Sequence, residues 1–118
     1  MLNIKLQYSF TMLKLIDEAC YEILQVLKEK GRVQATRLPE LITSASQSTV
    51  FEKVKELEQA RLVTSEWKEV PDRNRPLKFY YLTDYGKLVV KKLEELEAIL
   101  EAVKTGEGWI KVGEVEID

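Results

Sequence analysis

Proton transfer, nucleophilic attack and metal binding need particular side chains, and this 118-residue chain has no histidine and a single cysteine, Cys20. The lack of histidine excludes serine triads, cysteine–histidine pairs, imidazole general bases and most zinc or iron sites. One thiol builds neither a thiolate cluster nor an internal disulfide framework, and Cys20 lies in an apolar helical pattern that suits packing. The five glycines stand singly, so no glycine-rich phosphate loop is present. Glu94, Glu95, Glu97 and Glu101 read as a solvated helix face. The sequence is therefore read as that of a non-enzyme with no cofactor and no metal site.

The polar chemistry that remains is recognition. Val50, Val54 and Leu57 recur at helical spacing, which puts Ser48, Glu52, Lys55 and Gln59 on the opposite side, with Phe51 beside them. Gln47, Ser48 and Thr49 open this helix. A DNA major groove admits one helix, whose first residues reach base edges. Glutamine suits adenine, glutamate accepts from cytosine, and Phe51 can touch a thymine methyl, while Lys55 suits phosphate or guanine. A second group, Arg73, Arg75 and Lys78, lies among the turn formers Pro71, Asp72, Asn74 and Pro76. Such a loop can follow phosphates or enter a minor groove, with further phosphate contacts from Arg32 and Arg37. The competing reading is a solvated helix face beside a soluble hairpin tip, whose field Glu69 and Asp72 dilute.

These side chains need a scaffold to hold them. Leu2, Ile4, Leu6 and Tyr8 alternate with polar residues, as in a short strand or extended arm. A first helix, starting near Thr11 or capped later by Asp17, carries Leu13, Ile16, Cys20, Ile23, Leu24 and Leu27 and stops at Gly31. After an extended piece at Val33, Thr36 can cap a second helix from Arg37 to about Thr43, with Leu38, Leu41 and Ile42 inward. Ser44, Ala45 and Ser46 form a break of helix-turn-helix length, and Ser46 caps the third helix, about 46–60. Leu62 to Val70 and Lys78 to Leu82 read as a hairpin with its basic tip at about 71–78. Thr83 caps a long helix to about Lys104, and Trp109 to Asp118 suits a short final strand.

With these elements in place, the segment Ser46 to Val63 resembles the recognition helix and first wing strand of MarR, ArsR, PadR and HxlR-type regulators. Leu82-Thr83-Asp84-Tyr85-Gly86-Lys87 is similar to the leucine-threonine-x-x-glycine signature that follows the wing in several of those families. The resemblance implies an α+β, mainly α, winged helix-turn-helix fold and a transcriptional regulator that binds double-stranded DNA. It also implies glycine before Leu62-Val63, where this chain has Arg61; a left-handed backbone there would be strained.

Val89, Leu93, Leu96, Leu100 and Val103 repeat at heptad spacing on the last helix, the seam of a symmetric dimer that could place two recognition helices one DNA turn apart. Its alternative role is packing on the first helix of the same chain, and a second apolar face is offered by Leu88, the Lys92 stem and Ile99. The domain expected is 1–104, followed by an acidic tail, 105–118. Residues 94–118 hold eight acidic and two basic side chains, which leaves a net charge of +4 on the rest despite −2 overall. No apolar run is long enough to span a bilayer and the N-terminus alternates, so a cytoplasmic protein without membrane contact is expected. A small-molecule effector near the dimer helices is compatible with the pattern. The rival function is a winged helix serving as a protein-interaction module, with Trp67, Trp109 and the tail as its contact surface.

Overall fold

The computed structural model describes residues 16–105. The expected arm at the N-terminus, the helical turn from Thr11 and the strand from Trp109 lie outside them. Within them the order is α1 (Glu18–Lys30), β1 (Arg32–Gln34), α2 (Leu38–Leu41), α3 (Gln47–Gln59), β2 (Val63–Lys68), β3 (Leu77–Leu82) and α4 (Asp84–Thr105). The three strands form one antiparallel sheet in the order β1-β3-β2. This is the mainly helical winged-helix layout, with a small sheet closing one side.

Asp17 settles where α1 begins: its carboxylate accepts from the Cys20 amide at 2.9 Å, and Gly31, at φ 81°, ends the helix by donating to the Leu27 carbonyl. Cys20, Ile23, Leu24 and Leu27 meet Val50, Val54 and Leu57 of α3 and Val90 of α4 in a single core. Burial pushes the Cys20 thiol up to about 12, aided by the nearby Asp17 carboxylate, so the sulfur is a packing group.

The second helix is shorter than the sequence suggests, a single turn at Leu38–Leu41. Thr36 does not cap it, because its hydroxyl accepts from the Gln34 side chain and the preceding Ala35 amide is drawn into the sheet by the Lys78 carbonyl. Leu38 and Ile42 are buried as expected, but one turn cannot point three residues inward, and Leu41 faces solvent. The turn that follows is held instead by Glu22 of α1. Its carboxylate accepts from the Thr43 amide and hydroxyl and from the Ser44 amide, each at 2.9 Å. Although partial desolvation opposes it, these hydrogen bonds take the Glu22 carboxyl down to about 2.

The end of α3 is a Schellman motif. Leu62 N–H donates to the Leu57 carbonyl and Arg61 N–H to that of Glu58, with Arg61 itself at φ 64°. Arg61 thus occupies the left-handed position that usually takes glycine. The Thr83 hydroxyl donates to the Arg61 carbonyl at 2.6 Å and accepts from the Gly86 amide at 3.0 Å, so one oxygen joins the end of α3 to the start of α4. Gly86 is needed because a Cβ there would lie 2.0 Å from the Leu62 carbonyl oxygen. The leucine-threonine-x-x-glycine signature is therefore a joint: Leu82 fills the core, Thr83 bonds both helices, and Gly86 lets them touch.

Candidate nucleic-acid interface

Two tethers fix α3 against α1. Its apolar side, Val50, Val54 and Leu57, is fully buried, and Lys53 bonds Asp17 at 2.8 Å while also pairing with Glu56 at 3.3 Å. The pairing with Asp17 holds the Lys53 ammonium well above its usual range. Ser46 caps the first turn, its hydroxyl accepting from the Thr49 amide. With one side locked, the other has no freedom to roll. Gln47, Ser48, Glu52 and Lys55 are solvent-exposed, Phe51 retains 37% of its surface, and Thr49 is half-buried. None of Gln47, Glu52 and Lys55 has a hydrogen bond or ion pair among the described side chains.

The hairpin stands beside this helix. Register pairs Val63 with Leu82, Ser65 with Tyr80 and Trp67 with Lys78, so these six residues share one face. Near the core Val63, Tyr80 and Leu82 are buried, and Ser65 donates to Glu58 of α3 at 3.3 Å; this face therefore looks toward α3. The turn joining the strands exposes Arg73 and Arg75, neither of which is ion-paired among the described residues.

The other basic candidates are differently placed. Lys78 lies within β3 rather than at the tip, its ammonium 5.0 Å from the Tyr80 ring centroid and 5.9 Å from that of Trp67. Arg37 precedes α2, exposed, with Glu40 at 3.8 Å. Arg32 is engaged by Glu66 across the sheet and stacks 4.4 Å from the Tyr81 ring centroid, which leaves it little freedom to reach a phosphate. Sequence reasoning missed Glu22, Asp17–Lys53 and Glu66 as organisers of this surface, because each acts across a long sequence separation that periodicity does not report.

On α4, the heptad residues divide. Val89 and Leu93 pack partly against the core, whereas Leu96 (52% exposed), Leu100 (60%) and Val103 face solvent. Tyr85 and Ile99 are exposed too and fall within about 60° of Leu96 around the helix, and exposed Leu88 lies about 20° from Ile99, widening one apolar stripe. The chain's own anchor on this helix is Glu94, which accepts from Lys28 at 2.6 Å and from Gln25 at 3.3 Å on the side away from that stripe.

Comparison with known proteins agrees with this architecture. The sequence model of the family described as transcriptional regulator PadR-like matches residues 12–92. Among solved structures, the reduced form of the Bacillus subtilis transcriptional regulator YodB is 26% identical, with a TM-score of 0.62 over 83% of this chain and 90% of that one. A MarR-family regulator from Enterococcus faecalis superposes with a TM-score of 0.69 at 22% identity, over 86% and 91% of the two chains. Bacillus subtilis PadR, solved in complex with operator DNA, superposes with a TM-score of 0.52 at 23% identity, over 63% of this chain and 45% of that one. No curated protein sequence matches. Among the described residues, no helix is long and apolar enough to cross a membrane.

Proposed function

Because this chain belongs to the PadR-like family of transcriptional regulators, we propose that it regulates transcription by reading double-stranded DNA in sequence-specific fashion as a homodimer. The observation that carries the reading is the pairing of a helix locked on one side with a hairpin whose arginines, Arg73 and Arg75, have no ion-pair partner among the described residues. Gln47, Ser48, Thr49, Phe51, Glu52 and Lys55 would meet base edges in the major groove, and Arg73 and Arg75 the adjacent backbone or minor groove. Arg37 and Lys78 would add phosphate contacts. The operator complex of the Bacillus PadR structure supports DNA as the partner.

The solvent-facing stripe of Leu96, Leu100 and Val103, continued by Val89 and Leu93 toward the body, supplies the dimer seam. On this reading residues 1–104 form the winged-helix unit with its dimerisation helix and 105–118 an acidic tail, and the protein works in the cytoplasm. A cleft of about 860 Å³ between α1, β3 and α4, lined by Leu27, Tyr81, Lys87 and Val90 among others, has room for a small-molecule effector.

The test is binding to random and genomic duplexes across a salt series, comparing wild type with Arg73→Ala/Arg75→Ala. A palindromic site whose affinity falls in the double variant supports the reading. Absence of binding at low salt, or indifference to the substitutions, would favour a protein-interaction module.

A further inference from the structure

Trp67 is the largest exposed ring in the described structure, at 65%, and it lies on the hairpin face that looks toward α3. Two residues closer to the core the same face is closed by Ser65 and Tyr80; Trp67 lies past that edge, largely exposed, with Lys78 as its cross-strand neighbour. The Lys78 ammonium sits above both the Trp67 and Tyr80 rings, and no carboxylate among the described residues pairs with it. With Glu58 marking that side through its bond to Ser65, the exposed α3 residues within about 60° of it around the helix are Gln47, Phe51 and Lys55. A flat ring, an indole N–H and an unpaired ammonium therefore share the hairpin face that looks toward α3.

We propose that Trp67 and Lys78 together form a docking plate for the DNA strand that runs between α3 and the wing; this inference rests on the DNA-binding reading above. In an intact duplex the bases are stacked on one another, so the indole ring packs on deoxyribose while its N–H and the Lys78 ammonium donate to flanking phosphates. Cation–aromatic stacking holds the ammonium in place before DNA arrives, which lowers the ordering cost of the contact. Charge decides between occupants: the Lys78 ammonium beside the ring has no carboxylate partner among the described residues, and with exposed Arg73 and Arg75 on the turn of the same hairpin it outnumbers Glu69 and Asp72, so a polyanion suits this face better than an apolar protein surface.

Trp67 and Trp109 are the only tryptophans, so Trp109→Phe leaves Trp67 as the sole indole reporter. This variant is titrated with dye-labelled random duplexes at low salt, reading dye anisotropy and indole emission together. The expected result is a change in Trp67 emission with the same midpoint as the anisotropy. Trp67→Ala should weaken binding about tenfold with an unchanged melting temperature, and Lys78→Gln should reduce the salt-dependence slope by about one. A rise in anisotropy with unmoved emission and wild-type affinity in Trp67→Ala overturns the plate while leaving DNA binding intact. If Trp67→Ala spares DNA affinity but halves the sedimenting mass, the ring is an interchain contact and the plate is likewise overturned. No rise in anisotropy for any form removes the DNA reading and the plate with it.

Discussion

Gly86 of α4 sits so close to Leu62 that the space for its missing Cβ is filled by the Leu62 carbonyl oxygen, 2.0 Å from where that carbon would be. The Leu62 carbonyl is also the acceptor for the Thr83 amide, so it cannot turn away without breaking the link between hairpin and helix. Gly86→Ala should therefore lower unfolding free energy by about 3 kcal/mol, at the upper end of what inserting a buried methylene costs. Urea denaturation checks this, and a loss below about 0.5 kcal/mol would show that α4 can slide to make room.

Arg61 lies at φ 64°, where a Cβ meets the following carbonyl oxygen. Arg61→Gly removes that clash and retains the carbonyl that accepts from Thr83, at the cost of a freer unfolded chain. The net expectation is a gain of about 0.5–1 kcal/mol, read as a higher urea midpoint with an unchanged slope. Arg61→Val should be destabilising, because β-branching worsens the same clash.

Acid should loosen the turn before α3 through Glu22. Its folded pKa, about 2, lies below the ordinary value of 4.5, so the stabilisation is present above about pH 4.5 and disappears as pH falls toward 2. The protection of the Thr43 and Ser44 amides, exchange relative to the intrinsic rate at each pH, should fall across that window in the wild type. In Glu22→Gln that protection should be low already at neutral pH and should not fall further across the window.

Leu96→Glu/Leu100→Glu places two charges on the solvent-facing stripe of α4 without touching the core. On the dimer proposal, equilibrium sedimentation should show the monomer mass while the circular dichroism spectrum stays helical. DNA affinity should fall at least about tenfold, since two linked contacts become one. An unchanged mass would return the stripe to a role in covering residues of the same chain.

Cys20 is buried, with its thiol pushed up to about 12. At neutral pH a maleimide should label it only as fast as the chain opens, and the rate should rise sharply across the urea transition. Rapid labelling of the native protein would mean that α1 separates from α3 far more often than the packing allows.

What could be read from residues alone followed distance along the chain. Ser46 with Val50, Val54 and Leu57 announces a capped helix and its buried side within twelve residues, and both are present. Thr36 has the chemistry of a cap, yet the pairing of Ala35 with Lys78, over forty residues away, decides its surroundings. The family resemblance put glycine where this chain has Arg61 and so raised a left-handed backbone there as a condition, but that Arg61 adopts it, supported by Thr83, needed the fold. On α4, apolar spacing alone does not say which side meets the body. Val90, outside the heptad seam, is the buried contact, and Gly86 and Glu94 set the orientation around it. The exposure of Gln47, Ser48, Phe51, Glu52 and Lys55 was legible because it is the complement of that short-range burial. Lys78 was legible as a charge, whereas its perch on Trp67 and Tyr80 depends on strand register.

The oxygen shared by α3 and α4 has a mechanical consequence. With the Thr83 hydroxyl bonded at both ends, the Thr83 amide on Leu62 and no gap at Gly86, the two helices form a bracket with no compliant hinge between them. A rotation of the first turn of α4, a helix roughly 33 Å long, is therefore passed to the end of α3 through these contacts. In an assembly of two such chains joined through α4, the spacing of the paired α3 helices would follow from how the brackets cross.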